Sequence, residues 1–528
     1  MAVSSSGVDQ GPSGIIPFGH PDGAREDLSG PIVDFAEIGL AAREYDARRV
    51  SVVAGRMGAG KTLWLRDLSR HLAIREDIAS DGPVTWTPST SAIMRFSHMF
   101  PRNLHSEMWK LAWDRAILRS VASWVAHGHP PRYRPSASFL SETPETRRRL
   151  DEFIPHRSSS VYGELSFLIN NRSSRSATIR FLEDPRWEEL RDLLGAAALT
   201  RPPLYLLLDA IDENFDSAPA YWLSCQEGLY LSVMQWRRTR LYSRFKVIVG
   251  LRDLVLSSIA SSEHSHRLLL NSGVHNLIWT ESDLQRLVML KVSHYNSDLI
   301  GDGIDATLKH WLGFSQLIEG PSIRVWDLIV KFTSWTPRDL INILNTIAAA
   351  RAQPEWGEGS FLTALTFAAR YSGMSKLATV RNEVASLAAL ANASYSGEGA
   401  HRSWIEDSYE AAVTDDLSSR MSSQIESVLR SSLATDGMSV TLNSLSSQSI
   451  RLFGIDISDV LWRQGLIGLV EIPTRDHRIT ARFHQASAWD SLSLPSGAVQ
   501  YVYHPCVLSA LRIPINLNRS VYPVYGDG

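Results

Sequence analysis

Only two of the 528 residues are cysteine, Cys225 and Cys506, and their spacing pairs them with nothing. That scarcity argues against a disulfide framework and a cysteine-built zinc site, and it sets the expectation of a reducing, cytoplasmic compartment. Lysine is also rare: seven of the 53 basic residues are Lys (61, 110, 246, 291, 309, 331 and 376) and the rest are Arg, a bias that reads as genomic base composition rather than function. Charge of one sign is missing too, with 53 basic residues against 56 acidic ones and a pI near 6.6. Nothing in that balance calls for nucleic acid or an anionic membrane as the main partner. No apolar run approaches the ~20 residues a membrane helix needs, and the opening Met1-Ala2-Val3-Ser4 lacks the basic and apolar parts of a secretion signal. No membrane association is expected.

What is present begins with Gly55-Arg56-Met57-Gly58-Ala59-Gly60-Lys61-Thr62, which fits G-x-x-x-x-G-K-[ST] at every fixed position. The β-branched run Val50 to Ala54 before it reads as a buried strand, and Leu63 to Leu68 after it as a helix. A chance match in a Gly-rich turn would need neither. Glycines at 55, 58 and 60 let backbone N–H groups turn inward on β- and γ-phosphates, and the new helix aims its positive end at them. Lys61 would reach the phosphate oxygens and Thr62 would hold Mg²⁺, so ATP and Mg²⁺ are the expected cofactors.

A second element is Leu204-Tyr205-Leu206-Leu207-Leu208-Asp209, followed by Ala210-Ile211-Asp212-Glu213. Five apolar residues ending in an acid describe a strand buried on both faces that delivers a carboxylate at its C-terminal edge, where ligands bind in parallel sheets. Asp209 is the candidate metal ligand, and Asp212 with Glu213 the pair that orients or deprotonates an attacking water. The competing reading is a helix-capping acid after a core strand. The run Phe245 to Leu251 is another strand and ends at Arg252, which either senses a γ-phosphate or pairs with Asp253. Strand, helix and strand in alternation predict an α/β fold with a parallel sheet.

Elsewhere the patterns are structural. Trp109, Trp113, Ile117, Val121 and Trp124 recur at helical spacing over 104–127 and read as a packed face. Residues 128–180 are polar and turn-rich, and Arg147-Arg148-Arg149 reads as a solvated helix face. Leu277-Ile278-Trp279 is expected to be a strand, and Thr280 to Asp283 a capping box. Thr336-Pro337-Arg338-Asp339 opens a helix, which fixes Arg338 in a first turn as either a ligand contact or a surface cation. The pattern is then helical from about 360 to 435 with a polar break at 394–403. Short helices and the apolar segments 466–470, 478–483 and 499–504 follow, a pattern that suggests a winged-helix-like module. Residues 381–528 hold 11 Arg, no Lys and 15 Asp or Glu, so duplex DNA is possible but not favoured as its partner. The division expected is a disordered arm (1–30), a nucleotide domain (31–285, with an insertion over about 100–185), a helical lid (286–380) and a helical plus winged-helix-like part (381–528).

Together, Gly55 to Thr62, Leu206 to Glu213, Val247 to Arg252 and Trp335 to Leu344 resemble the bacterial P-loop ATPases of the AAA/STAND-like (ASCE) group. The first two segments look like their Walker A and Walker B motifs. Arg252 stands where the resemblance implies sensor 1, and Arg338 where it implies a sensor 2 arginine. One departure is that Asp209 stands 147 positions after Thr62, more than a minimal core needs. The resemblance implies a helix-flanked parallel sheet, ATP-dependent switching in bacterial signalling or anti-phage defence, and self-association or an effector protein as partner. A DNA-engaging loader and a small-molecule P-loop kinase are the alternatives.

Overall fold

The computed structural model describes residues 18–21, 49–73, 79–85, 90–101, 104–127, 144–154, 160–171, 174–197, 203–209, 219–260, 273–317, 323–393, 415–471, 480–484, 493–495, 500–515 and 522–525. The arm expected over 1–30 falls almost wholly outside them, as do Asp212, Glu213 and the polar break at 394–403.

Five strands, β1 (Val52–Gly55), β2 (Ala79–Thr85), β3 (Leu204–Asp209), β4 (Phe245–Arg252) and β5 (Val274–Asn276), form an all-parallel sheet in the order β2-β3-β4-β1-β5. Side chains alternate across it, as a period of two requires. Val52, Ala54, Leu204, Leu206, Leu208, Val247 and Val249 enter one core, while Val53, Tyr205, Leu207 and Ile248 enter the other. Because helices cover both faces, β1, β3 and β4 are buried throughout, which is why they read as unbroken apolar runs.

The first face is roofed by the helices His105–His127 and Pro219–Trp236 among others. Trp109, Trp113, Ile117 and Val121 are fully buried, so the aromatic stripe is core. Residues read as turn-rich contain three helices, Pro144–Asp151, Val161–Asn170 and Arg175–Leu182. Two serines of this stretch are helix starts: Ser160 Oγ accepts from Gly163 N (3.0 Å) and Ser174 Oγ from Ala177 N (3.4 Å). Arg148 and Arg149 lie on a solvated helix face, paired with Glu145 and Glu189.

The second face carries Lys61–Ala73, Glu281–Tyr295, Ile304–Leu312, Val325–Lys331 and Pro337–Arg351, with the short hairpin β6 (Gln316–Leu317) and β7 (Ile323–Arg324). The capping box at Thr280 and Asp283 is formed. The strand expected at Leu277–Trp279 is three residues earlier, at Val274–Asn276; Leu277 and Trp279 instead leave the sheet and pack beneath the Gly55 loop. From here the 36-residue helix Glu358–Ala393, about 54 Å long at 1.5 Å per residue, runs into the C-terminal part. Phe361, Leu365 and Ala369 belong to the second core, Val380 and Val384 to a third.

That third core joins four helices, Asp415–Ser431, Leu442–Phe453, Ser458–Arg463 and Pro505–Ala510, to a second five-stranded sheet. Its strands are β8 (Ser439–Val440), β9 (Ile467–Glu471), β10 (Thr480–Phe483), β11 (Tyr501–Tyr503) and β12 (Tyr522–Tyr525), ordered β12-β10-β9-β11-β8 and antiparallel except for β10 with β12. Among the described residues no helix is long and apolar enough to cross a membrane.

One contact tests the roof of the first face. A Cβ at Gly228 would lie 2.4 Å from Trp109 Cβ and 2.6 Å from Lys110 N, so two helices cross at backbone distance there. Gly228→Ala should therefore destabilise the protein by about 1–3 kcal/mol through overpacking, read as a lower urea midpoint. An unchanged midpoint would show that the crossing has room to part.

Candidate functional site

The loop after β1 is shaped by two glycines in the left-handed region, Gly58 (φ +86°) and Gly60 (φ +98°), a conformation that costs other residues about 1–2 kcal/mol. Ala59 N donates to Arg56 O (3.1 Å), and Trp64 N donates to Gly60 O (2.9 Å) as the helix begins. Trp279 Nε1 donates to Ala59 O (2.9 Å) and fastens the loop from below. Lys61 is buried, and its ammonium folds over the loop, donating to Gly55 O (3.0 Å) and Arg56 O (3.1 Å).

Sheet order decides what meets this loop. Gly55 pairs with Arg252 on β4, and Leu208 with Val249, so β1, β3 and β4 end at one edge. The last step uses Gly250: a Cβ there would stand 3.1 Å from Asp209 Oδ1 and 3.7 Å from Lys61 Cβ. The carboxylate ending β3 and the lysine of the loop thus converge over a residue without a side chain. Asp209 is 2% exposed, and Tyr162 Oη donates to its main-chain carbonyl (3.0 Å). Arg252 is buried with Nη2 3.7 Å from Met57 Sδ, which sets it beside the loop, while Asp253 takes Arg56 as a partner at 3.8 Å. Thr62 lies in the first turn of the loop's helix.

Arg338 arrives from the other side. Thr336 caps the helix Pro337–Arg351, its Oγ1 accepting from Asp339 N (3.3 Å), and Arg338 N donates to Gly58 O (3.3 Å). A Cβ at Gly58 would lie 2.8 Å from Arg338 Cβ, so the helix start sits directly on the loop. A buried network holds it there: Asp339 Oδ2 accepts from Ser334 N (3.1 Å), Ser334 Oγ (2.5 Å) and Lys376 Nζ (2.8 Å), and Oδ1 from Ser372 Oγ (3.0 Å). Burial alone would raise the Asp339 carboxyl, but the Lys376 ammonium and the Ser334 bonds outweigh it and hold the group well below the usual carboxylate range. Arg56, Arg252, Arg338, Lys376 and Arg463, with Tyr371 at the rim, line an open cavity of about 120 Å³ beside the loop.

Several of these groups carried no sequence signal. Arg463 comes from the C-terminal part, clamped by Glu383 (2.7 Å), which also takes Gln464 Nε2 (2.9 Å). Gly465 follows with φ +65°, and a Cβ on it would reach 3.0 Å from Arg56 Nη1, so the loop's arginine packs on that turn. His504 Nε2 donates to Thr333 O (3.1 Å) and Nδ1 accepts from Cys506 N (3.2 Å). Burial, then the nearby Lys376 charge, push its pKa down to about 3, so it stays neutral. A lone lysine at 376 in an arginine-rich chain was the one available cue. No family model, curated protein or solved structure matches the chain.

The Asp339 network sets a pH dependence. A carboxyl whose folded pKa is depressed contributes stability that is complete above its unfolded value, about 4, and is lost as pH falls toward the folded value. Unfolding midpoints should drop as pH falls below about 4 in the wild type and less steeply in Asp339→Asn. Asp339→Ala, which strands Lys376, should cost about 3–5 kcal/mol at pH 7. A change under 1 kcal/mol in urea unfolding would mean the ammonium finds another partner.

Proposed function

We propose that the chain binds ATP as its magnesium complex and works as a slowly hydrolysing, nucleotide-dependent switch of the P-loop type. The observation that supports this most is the convergence of Lys61 and Asp209 over Gly250, at the sheet edge that also carries Arg252 and Arg338. The donor set fits the ligand. Gly55, Arg56, Met57, Gly58, Ala59, Gly60, Lys61 and Thr62 form a glycine-shaped cradle at a helix N-terminus, suited to the β- and γ-phosphates. Among the described residues no group of three or more His, Cys, Asp or Glu forms a metal cage. Magnesium would be held together with the nucleotide, by Thr62 and Asp209, and would supply charge neutralisation at the phosphate oxygens.

The chain's own part is positioning and charge. Lys61, Arg252 and Arg338 offset the negative charge of the terminal phosphate, and Glu213, assisted by Asp212, aligns and deprotonates water. Those two acids follow Asp209 closely in the sequence, which is the support for their role. We take the C-terminal helices and second sheet as a winged-helix-like module that receives the nucleotide state, since Gly465 and Arg463 already touch the loop and its cavity. The sequence resemblance implies a setting in bacterial signalling or anti-phage defence, with self-association or an effector protein as the output.

Two substitutions test the reading. Lys61→Ala should weaken ATP binding by more than about tenfold, or 1.4 kcal/mol, in a fluorescent-nucleotide titration. Glu213→Gln should bind ATP normally but release phosphate about 10²-fold more slowly. Wild-type phosphate release by the second variant would remove Glu213 from the chemistry, and undiminished binding by the first would sink the nucleotide site.

A further inference from the structure

The long stretch between the loop and Asp209 has a contact that a spare insertion would not need. Its helix Val161–Asn170 begins at the cap Ser160 and carries Tyr162, which is 3% exposed, with its hydroxyl 3.0 Å from the main-chain carbonyl of Asp209. That carbonyl ends β3, so the hydroxyl fixes the peptide plane directly after the carboxylate-bearing Cα.

The helix supplying the hydroxyl is itself held firmly. Tyr162 meets Trp113 edge to face, with centroids 6.0 Å apart, and Trp113 Nε1 donates to Cys225 O (3.0 Å). Two residues on, Glu164 pairs with Arg119 at 3.0 Å, and both are at most 1% exposed. Burial raises the Glu164 carboxyl to about 7 against the opposing Arg119 charge, which marks the crossing of this helix on His105–His127 as tightly enclosed. The roof thereby places one hydroxyl on a single peptide at the sheet edge.

We propose that Tyr162 is a positioning residue for Asp209: its hydroxyl sets the direction of the carboxylate and so how tightly the site holds the divalent cation that accompanies a nucleotide. The inference rests on the nucleotide reading above. It gives the stretch between the two motifs a function in the site, because fixing the peptide plane at Asp209 limits the directions in which its side chain can leave the strand.

The test is a Mg²⁺ titration of fluorescent ATP analogue binding to the full chain, with melting temperatures measured alongside. Tyr162→Phe keeps the ring and loses the hydroxyl. It should raise the Mg²⁺ concentration for half-maximal binding by about three- to tenfold and leave binding in EDTA unchanged. Asp209→Asn should raise the requirement more, and adding Tyr162→Phe to it should change nothing further. Ser160→Ala, which weakens the cap but spares the hydroxyl, should lower the melting temperature and move the Mg²⁺ requirement less than Tyr162→Phe does. A Tyr162→Phe protein with the wild-type requirement, an equal shift from Ser160→Ala, or full additivity with Asp209→Asn overturns the proposal. If Asp209→Asn itself matches the wild type, the magnesium role of Asp209 fails and takes this inference with it, a result separate from the other three.

Discussion

A side chain at position 250 would stand between Lys61 and Asp209, and the site depends on there being none. In this sheet β4 lies between β1 and β3, so the loop and the acid are not neighbours and can meet only across the last residues of β4. Any Cβ there would press on Asp209 Oδ1 at 3.1 Å, closer than most packed carbon atoms tolerate. Gly58 acts similarly at the loop's outer side, where Arg338 occupies the space a Cβ would need. Two absences of side chain therefore draw three cationic or acidic groups from distant parts of the sequence onto one sheet edge.

Bringing those groups together buries charge, and the fold meets the cost by pairing. Asp339 takes four hydrogen bonds, one of them from Lys376 on the long helix, while Glu383 on the same helix takes Arg463 and Gln464. The helix Glu358–Ala393 is thus tied both to the start of the Arg338 helix and to the turn that touches Arg56. It also approaches the helix Pro505–Ala510 closely, since a Cβ at Gly373 would fall 2.0 Å from Cys506 O. Along this helix Phe361 to Ala369 pack into the second core and Val380 with Val384 into the third, and between these groups Ser372 and Lys376 line the cavity.

The parallel sheet was legible because its strands are buried on both faces and so appear as unbroken apolar runs. The helix starts at Thr280 and Thr336 were legible because capping is local. Contacts between segments far apart in the chain were not. Nothing in Gly55 to Thr62 announces that Arg56 reaches Gly465, and Tyr162 sits in a stretch whose serines resemble turns until one sees them capping helices. The lysines are the instructive case. Their rarity reads as base composition, yet Lys61, Lys246, Lys291 and Lys331 are all buried. Four of the seven are thus enclosed and Lys376 is seated on Asp339, whereas Lys309 is exposed, so the residue type follows the base composition and its burial is set by tertiary contacts that no local pattern shows.

The segment Thr333 to Thr336 joins these threads. Trp335 has φ +55°, a conformation costly for a residue with a large side chain, and strain of that kind persists only when the surroundings over-determine it. The surroundings come from both sides: Trp335 packs against the second core and against the cluster of Ala481, Phe483 and Val502, its N–H donates to Thr333 Oγ1 (3.3 Å), and His504 donates to the carbonyl of Thr333. On the other side the segment runs into Thr336 and Arg338, which rest on Gly58. The second core and the second sheet therefore meet at the segment that leads into the residues resting on the loop.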